Sequence, residues 1–407
     1  MNKEPYKLII IGGGAAGYFL AANVGELIGE RTLILEKTSK TLSKVKVSGG
    51  GRCNVTHNCF DVKKLSSFYP RGEKFVRKMF QHFQPKDTME WFESRGIELK
   101  VEKDNRVFPK SDNSQSIIDA LKNEAHQNRV EPKLGESLSR LEKMDFGNWL
   151  VHTSDSVYES ENVFIAPGAS VAIYELLKEL GLKVISPVPS LFTFKIEDPR
   201  IEGLQGIAFS DVEVKLAGTK IKETGPLLIT HWGLSAPAIL KTSARAAREL
   251  FQKNYQASVL INFLPEKNFD SAREELLEFK ANNPKKRIGG ACPFEIPKRY
   301  WLRSCELLEV SEKPWSEVSK KSLNKLAENL TAANFQMNGK TTFKEEFVTA
   351  GGVDLSEINS TTMEASRYSG LYFGGEVLNI DALTGGFNFQ AAWTGAWIAS
   401  RAIKEGA

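Results

Sequence analysis

Lys7 to Ile11 form a short apolar run that passes directly into Gly12-Gly13-Gly14-Ala15-Ala16-Gly17 and then into a small-residue helical segment, Tyr18 to Leu27. Strand, glycine turn and helix in that order leave few folds open. Gly12 permits the tight turn, Gly14 lets backbone approach a pyrophosphate, and Gly17 lets helix and strand pack closely; the helix N-terminus offers unpaired N–H groups to the anion. Ala15 and Ala16 complete the turn. A second strand, Thr32 to Leu35, ends in Glu36 with Lys37 beside it. An acidic side chain roughly 20 residues beyond the glycines accepts ribose hydroxyls. A glycine turn of some unrelated α/β protein would leave these coincidences of spacing unexplained. The motif therefore reads as dinucleotide-binding, and its acidic ribose ligand suits the AMP half of FAD and NAD equally.

With 407 residues, 41% of them hydrophobic and 26% charged, the chain has globular composition and room for two or three domains. No stretch approaches the roughly 20 apolar residues of a membrane span, and the N-terminus has no signal-peptide architecture, so the expectation is a cytoplasmic protein without a membrane partner. Four cysteines, Cys53, Cys59, Cys292 and Cys305, lie at irregular spacing with no CxxC pair. They predict neither a disulfide framework nor a metal site. Residues 191 to 340 hold 23 Lys+Arg against 18 Asp+Glu, so the middle of the chain carries the whole net charge of +4. Solvated helix faces account for most surpluses of this size.

After Glu36 comes a basic segment with Lys40, Lys44 and Lys46, leading into Ser48-Gly49-Gly50-Gly51-Arg52-Cys53-Asn54. Three consecutive glycines leave backbone N–H groups unobstructed, and Arg52 adds a fixed cation, a pairing suited to a diphosphate or a flavin edge; a flexible loop is the alternative. Far along the chain, Gly370 to Phe373 reads as a buried strand ending in Gly374-Gly375-Glu376, followed by Asp381, by Thr384-Gly385-Gly386-Phe387-Asn388-Phe389-Gln390, and by a closing helix, Ala391 to Ile403. In FAD enzymes of the glutathione-reductase type a late strand delivers an acidic residue to the ribitol, and the next helix points its N-terminus at the flavin. NAD dehydrogenases need no such element. The cofactor expected is FAD.

The blocks Gly12 to Gly17, Ser48 to Asn54, Arg106-Val107-Phe108-Pro109, Thr230 to Ala238, Val348 to Val353 and Gly374 to Gln390 span almost the whole chain. On these residues the sequence resembles the BaiN/YhiN-like flavoproteins, NAD(P)/FAD-dependent oxidoreductases of the two-dinucleotide-binding-domain type. The resemblance implies an α/β fold: a Rossmann-like FAD-binding domain of glutathione-reductase type in two pieces, 1–190 and 341–407, interrupted by a β-rich substrate subdomain, 191–265, and a small helical subdomain, 266–340. Short β-branched runs such as Leu191 to Ile196 and Ala257 to Phe263 agree with the first insert, and helical spacing of Leu, Phe and Trp with the second. Where the family often has a longer glycine-rich stretch, Pro167-Gly168-Ala169-Ser170 leads almost directly into the helix Ile173 to Leu180, with Gly168 a candidate cofactor contact.

Flavin carries the redox chemistry, so few catalytic side chains are needed. His231 is the acid/base candidate, and the family architecture would bring it over the flavin; an imidazole bonded to backbone is the structural alternative. Arg106 either holds a substrate anion or pairs with a surface carboxylate. Asn388 and Gln390 are candidate flavin-edge donors, with helix capping as the alternative. Arg52 would favour a Cys53 thiolate. A redox pair of Cys53 with Cys59 is the lesser reading and a buried Cys53 the better one.

The function expected is an FAD-dependent oxidoreductase that draws on NAD(P)H as a transient donor, since no second GxGxxG motif supplies a dedicated nicotinamide domain. Activities in the resembling family include reduction of uracil in ribosomal RNA, reduction of conjugated ketones and oxidation of small amino ketones. Lys285-Lys286-Arg287, and Lys298-Arg299 beside Tyr300 and Trp301, favour RNA slightly; 24 Phe and 7 Trp suit an apolar small molecule. A non-enzymatic flavin-binding redox sensor is the reading from another class. Gly14→Val is expected to abolish FAD retention, because a side chain fills the space the pyrophosphate needs. Normal flavin absorbance in the folded, purified variant would refute this.

Overall fold

The computed structural model describes residues 4–341 and 348–406. Two compact units emerge, one from Met1–Val188 with Lys344–Ala407, the other from Pro189–Phe343. Residues 342–347, just past the expected domain boundary between 340 and 341, lie outside the described residues.

The first unit is built on a mixed sheet in which five neighbouring strands are parallel. Its strands run in the order Glu364–Ala365, Tyr368–Phe373, Val157–Ile165, Tyr6–Ile11, Thr32–Glu36 and Glu131–Leu134, with the hairpin Leu138–Lys143 and Trp149–Thr153 added to the side of Val157–Ile165. Leu8, Ile9 and Ile10 are wholly buried, as a central strand covered on both faces must be. Ile9 pairs in register with Leu33 on one side and Val163 on the other. Leu371 in turn pairs with Val163, which puts the last strand of the chain three places from the second. The sheet thus carries the carboxyl ends of Tyr6–Ile11, Thr32–Glu36 and Tyr368–Phe373 to one edge, where ligands of open α/β sheets bind.

The helical segment read as continuous from Tyr18 to Leu27 is two pieces, Ala15–Ala21 and Glu26–Gly29. Gly25, with φ of 78°, breaks it. The closing helix also differs: it runs Phe387–Gly406 and so begins four residues before the expected Ala391, placing Asn388 and Gln390 in its first turn.

In the second unit the segments 191–265 and 266–340, expected as separate subdomains, share one core. Thr193–Ile196, Gly233–Ser235, Lys222–Thr230, Ala208–Leu216, Gln256–Asn262 and Ala333–Thr341 close into an antiparallel barrel. The final strand comes from the segment expected to be helical. Helices Phe269–Asn282, Lys298–Glu306 and Lys320–Thr331 pack on the same core, where Tyr300 meets Phe209 at 5.1 Å and Phe263 at 4.6 Å between ring centroids. Helical periodicity marked the helices correctly, but a strand nine residues long at their end has no partner until the barrel closes.

Backbone contact at the glycine turn fixes the first unit. A Cβ on Gly17 would lie 2.1 Å from the Gly12 carbonyl oxygen, whereas one on Gly290 would meet nothing within 4 Å. Gly17→Ala is therefore expected to destabilise the protein by on the order of 3 kcal/mol, and Gly290→Ala by less than about 0.5 kcal/mol. Urea midpoints of the two variants check this, and equal midpoints would contradict it.

Candidate functional site

Gly12, Gly14 and Gly17 of the first turn divide their work. A Cβ on Gly12, whose φ is +106°, would sit 2.4 Å from the Ala166 carbonyl oxygen, and one on Gly17 would strike Gly12; both are bare because backbone packs against them. Gly14 alone faces open space, with nothing within 4 Å of where its Cβ would be. It stands at the start of the helix Ala15–Ala21, so the unpaired N–H groups of that turn look onto the same space. Glu36 stands across the turn: its Oε2 accepts from the Gly13 N–H at 2.9 Å, and its Oε1 from the N–H and hydroxyl of Thr38 at 2.9 and 2.8 Å. Those bonds fix the carboxylate while leaving it acceptor capacity for ribose hydroxyls. Lys37 is exposed.

Next to this turn opens a cavity of about 810 Å³, lined among others by Tyr18, Lys40, Thr41, Lys46, Gln115 and Val130. Lys40 and Lys46 belong to the basic segment noted in the sequence. Tyr18, Thr41 and Val130 were missed, as were Gln115 and Lys122 of the helix Ser114–Gln127. The available signal was the alternation itself: a second helix followed by the strand Glu131–Leu134 completes a nucleotide-binding half, in which the third strand flanks the base.

Blocks distant in sequence meet within the first unit, while Thr230 to Ala238 belongs to the second. Helix Ser43–Gly51 has non-helical dihedrals at Ser48, Gly49 and Gly50, so its end is the glycine loop expected. Gly50 and Gly51 have φ of +70° and +85°, and a Cβ on either would touch nothing within 4 Å. Asn54, with its amide turned to satisfy its neighbours, accepts from the Gly386 N–H at 2.9 Å and donates to the carbonyls of Thr56 at 2.9 Å and Val107 at 3.2 Å. Trp393 donates its indole N–H to the Val55 carbonyl at 3.0 Å, and Tyr69 donates to the Phe387 carbonyl at 2.6 Å. Elsewhere in the unit Glu376 accepts from the Thr349 N–H at 3.1 Å, forms an ion pair with Lys44, and lies close to Gly168. This open glycine turn, its carboxylate, its basic cavity and the glycine loop fit an FAD: Gly12 to Gly17 would hold the pyrophosphate, Glu36 the ribose.

Several candidates have other duties. Gln390, read as a flavin-edge donor, is wholly buried; its oxygen accepts from Thr56 at 2.5 Å and Thr88 at 2.9 Å, and its nitrogen donates to Thr394 at 3.1 Å. Asn388 accepts from the Ala382 N–H at 3.0 Å and so ties down the turn before the helix. Asp381 is 0% exposed and forms a two-point ion pair with Arg71. A carboxylate buried this fully needs a paired cation, and Arg71 supplies it. Gly385 and Gly386, with φ of +138° and +89°, supply the turn's backbone. A Cβ at Gly375, whose φ is +76°, would press on Ala16 at 3.2 Å.

Arg52 and Arg106 also pair internally. Arg52 donates to Glu102 at 2.7 Å and lies over Phe108, 4.0 Å from the ring centroid; Arg106 donates to Asp104 at 2.7 Å and Glu102 at 3.2 Å. The carboxylate alternative thus describes Arg106. Arg52 does not lower the Cys53 thiol, which burial pushes up to about 12. Burial raises Cys59 as well. His231 lies in the second unit, exposed between the strands Lys222–Thr230 and Gly233–Ser235. Among the described residues no group of His, Cys, Asp and Glu is arranged to hold a metal ion, and no helix is long and apolar enough to cross a membrane.

Comparison with known proteins adds sequence relationships to this geometry. The family described as HI0933-like protein Rossmann domain matches residues 6–402. A ribosomal RNA dihydrouridine synthase of Escherichia coli (strain K12) is 30% identical over 405 residues, covering 97% of this chain and 97% of that protein. A 3-dehydro-bile acid delta(4,6)-reductase of Clostridium scindens is 26% identical, covering 97% and 98%. A 3-ketosteroid-delta4-(5alpha)-dehydrogenase from Rhodococcus jostii RHA1 matches with TM-score 0.53 and 12% identity, over 99% of this chain and 98% of that one. An open flavocytochrome c3 fumarate reductase matches with TM-score 0.51 and 14% identity, over 99% and 78%. At such identity the two structures share the fold.

The Cys53 environment sets a pH expectation. Because the folded thiol titrates above its ordinary value of 9.0, near 12, its contribution to stability is intact below about pH 9 and is lost as pH rises toward 12. Cys53→Ala should therefore flatten the alkaline fall of unfolding free energy, and native Cys53 should resist iodoacetamide at pH 8. Alkylation at the rate of a free thiol would contradict both.

Proposed function

The chain belongs to the HI0933-like family and is an FAD-dependent oxidoreductase, and from that premise we propose that its acceptor is a uracil ring in ribosomal RNA, with NAD(P)H as the transient electron donor and the cytoplasm as its setting. The observation that carries this reading is the match in both directions over 97% of each chain to a ribosomal RNA dihydrouridine synthase, with a second such synthase, from Haemophilus influenzae, 28% identical over 98% of each chain. Agreement over whole chains extends past the nucleotide motif to the inserted unit, whose surplus of Lys and Arg suits a polyanion.

Bound FAD supplies the two-electron, hydride-transferring chemistry. Binding falls to the chain: the turn Gly12 to Gly17 meets the pyrophosphate, Glu36 the ribose, and the lysine-lined cavity the adenosine end. Reduction of a double bond conjugated to a carbonyl also consumes a proton at the carbon next to that carbonyl. We assign this proton to His231, whose imidazole is exposed and has no hydrogen-bond partner among the described residues. A conjugated ketone is the second reading, supported by the bile-acid relative and by the same demand for hydride and proton.

Anaerobic titration with NADPH and NADH should bleach the flavin bands, and ribosomal RNA lacking modifications should restore them. A reduced flavin that RNA leaves bleached but a conjugated ketone reoxidises would replace the first reading by the second. His231→Ala should keep the flavin spectrum and lower turnover by roughly 10²-fold; unchanged turnover removes His231 from the chemistry.

A further inference from the structure

In the second unit the strand Lys222–Thr230 turns back into Gly233–Ser235 through two residues, His231 and Trp232. Gly233 supplies the unusual backbone of this turn: its φ is +136°, and a Cβ there would lie 2.4 Å from the Phe194 oxygen and 2.5 Å from the Ile196 nitrogen. Neither His231 nor Trp232 has a positive φ. The turn therefore imposes nothing on their side chains, and short polar residues commonly occupy such tips. The backbone of Trp232 is nevertheless anchored on both sides. Its N–H donates to the Thr230 hydroxyl at 3.2 Å, and its carbonyl accepts from the Ile196 N–H at 3.0 Å.

On this rigid tip the Trp232 ring is 53% exposed. Among the described residues it makes no ring or cation contact and its indole N–H donates no hydrogen bond. The other tryptophans are placed differently: Trp149, Trp301, Trp315 and Trp393 are at most 1% exposed, Trp91 is 7% exposed, and Trp397 stacks on Phe83 at 5.3 Å. Neither turn geometry nor core packing explains an indole at position 232. A large, stiff aromatic face presented to solvent suits a planar ring, and stacking on splayed bases is how proteins commonly grip single-stranded RNA. His231 beside it offers a hydrogen-bonding group with no partner among the described residues, and residues 191 to 340 carry 23 Lys+Arg against 18 Asp+Glu to attract a polyanion.

We propose that Trp232 is a base-stacking residue, its indole face taking a base of the RNA substrate. The proposal rests on the RNA reading above. It is tested on the FAD-loaded protein with a uridine-containing fragment of unmodified ribosomal RNA. In the wild type the fragment should quench a solvent-exposed component of tryptophan emission that Trp232→Phe lacks. Trp232→Ala should raise the KM for the fragment roughly 10- to 100-fold, with flavin content and Tm as in the wild type, and Trp232→Phe should recover most of the loss.

RNA-dependent reoxidation of the wild type with no quench, or with an unchanged KM in Trp232→Ala, would overturn the stacking role and leave the RNA reading intact. RNA that neither quenches emission nor reoxidises the flavin would overturn the RNA reading and this proposal with it. If instead a conjugated ketone reoxidises the flavin and Trp232→Ala raises its KM, the stacked ring belongs to a small molecule and the RNA proposal fails.

Discussion

The first unit depends on a close backbone approach at its glycine turn. Gly12 donates its N–H to the Leu35 carbonyl at 2.8 Å and lies against Ala166, while Gly17 lies against Gly12 itself. Three strands and a helix therefore converge at a separation that admits no side chain. That spacing leaves the helix N-terminus unobstructed in front of Gly14 and brings the Glu36 carboxylate alongside Gly13. Packing and anion binding are thus satisfied by the same residues, with different faces of one turn serving each purpose.

The late part of the chain completes the unit by a different principle. Its glycines need support, because Gly385 and Gly386 adopt their positive φ freely but lose more chain entropy than other residues when fixed there. Asn54 holds Gly386 from the glycine loop, Asn388 holds Ala382, and Gln390 anchors the helix through Thr56 and Thr88. Asp381 with Arg71 closes the same region by charge. Polar side chains in a cofactor-associated block are here largely the framework for backbone, which a sequence motif by itself does not distinguish from ligands. The exposure and the partners of each side chain make the distinction.

The inserted unit follows a third logic. Its barrel is closed by pairing between Thr193–Ile196 and Ala333–Thr341, far apart in sequence, so the intervening helices are held within one cooperative core. The glycine at position 233 shows how such closure shapes a surface. Because Phe194 and Ile196 crowd it from the neighbouring strand, the turn is fixed and the two residues before it are carried outward.

Much of this was legible in the sequence for identifiable reasons. The parallel strands read clearly because residues such as Leu8 to Ile10 are buried on both faces and must be continuously apolar. The glycine turn and Glu36 read clearly because their chemistry is local in the chain. The strand Ala333–Thr341 and the early start of the final helix did not, since each is decided by a neighbour distant in sequence, whereas the break at Gly25 is local, a glycine of positive φ inside an otherwise helical pattern. The same division applies to side chains: sequence alone determined the nucleotide-binding fold and the class of cofactor, through residue types at fixed spacing. Only the tertiary structure decided that Gln390 and Asp381 face the interior, that Arg52 answers to Glu102 instead of Cys53, and that Trp232 faces water. Burial and pairing are properties of what the folded chain brings alongside a residue, and spacing along the chain carries no record of that.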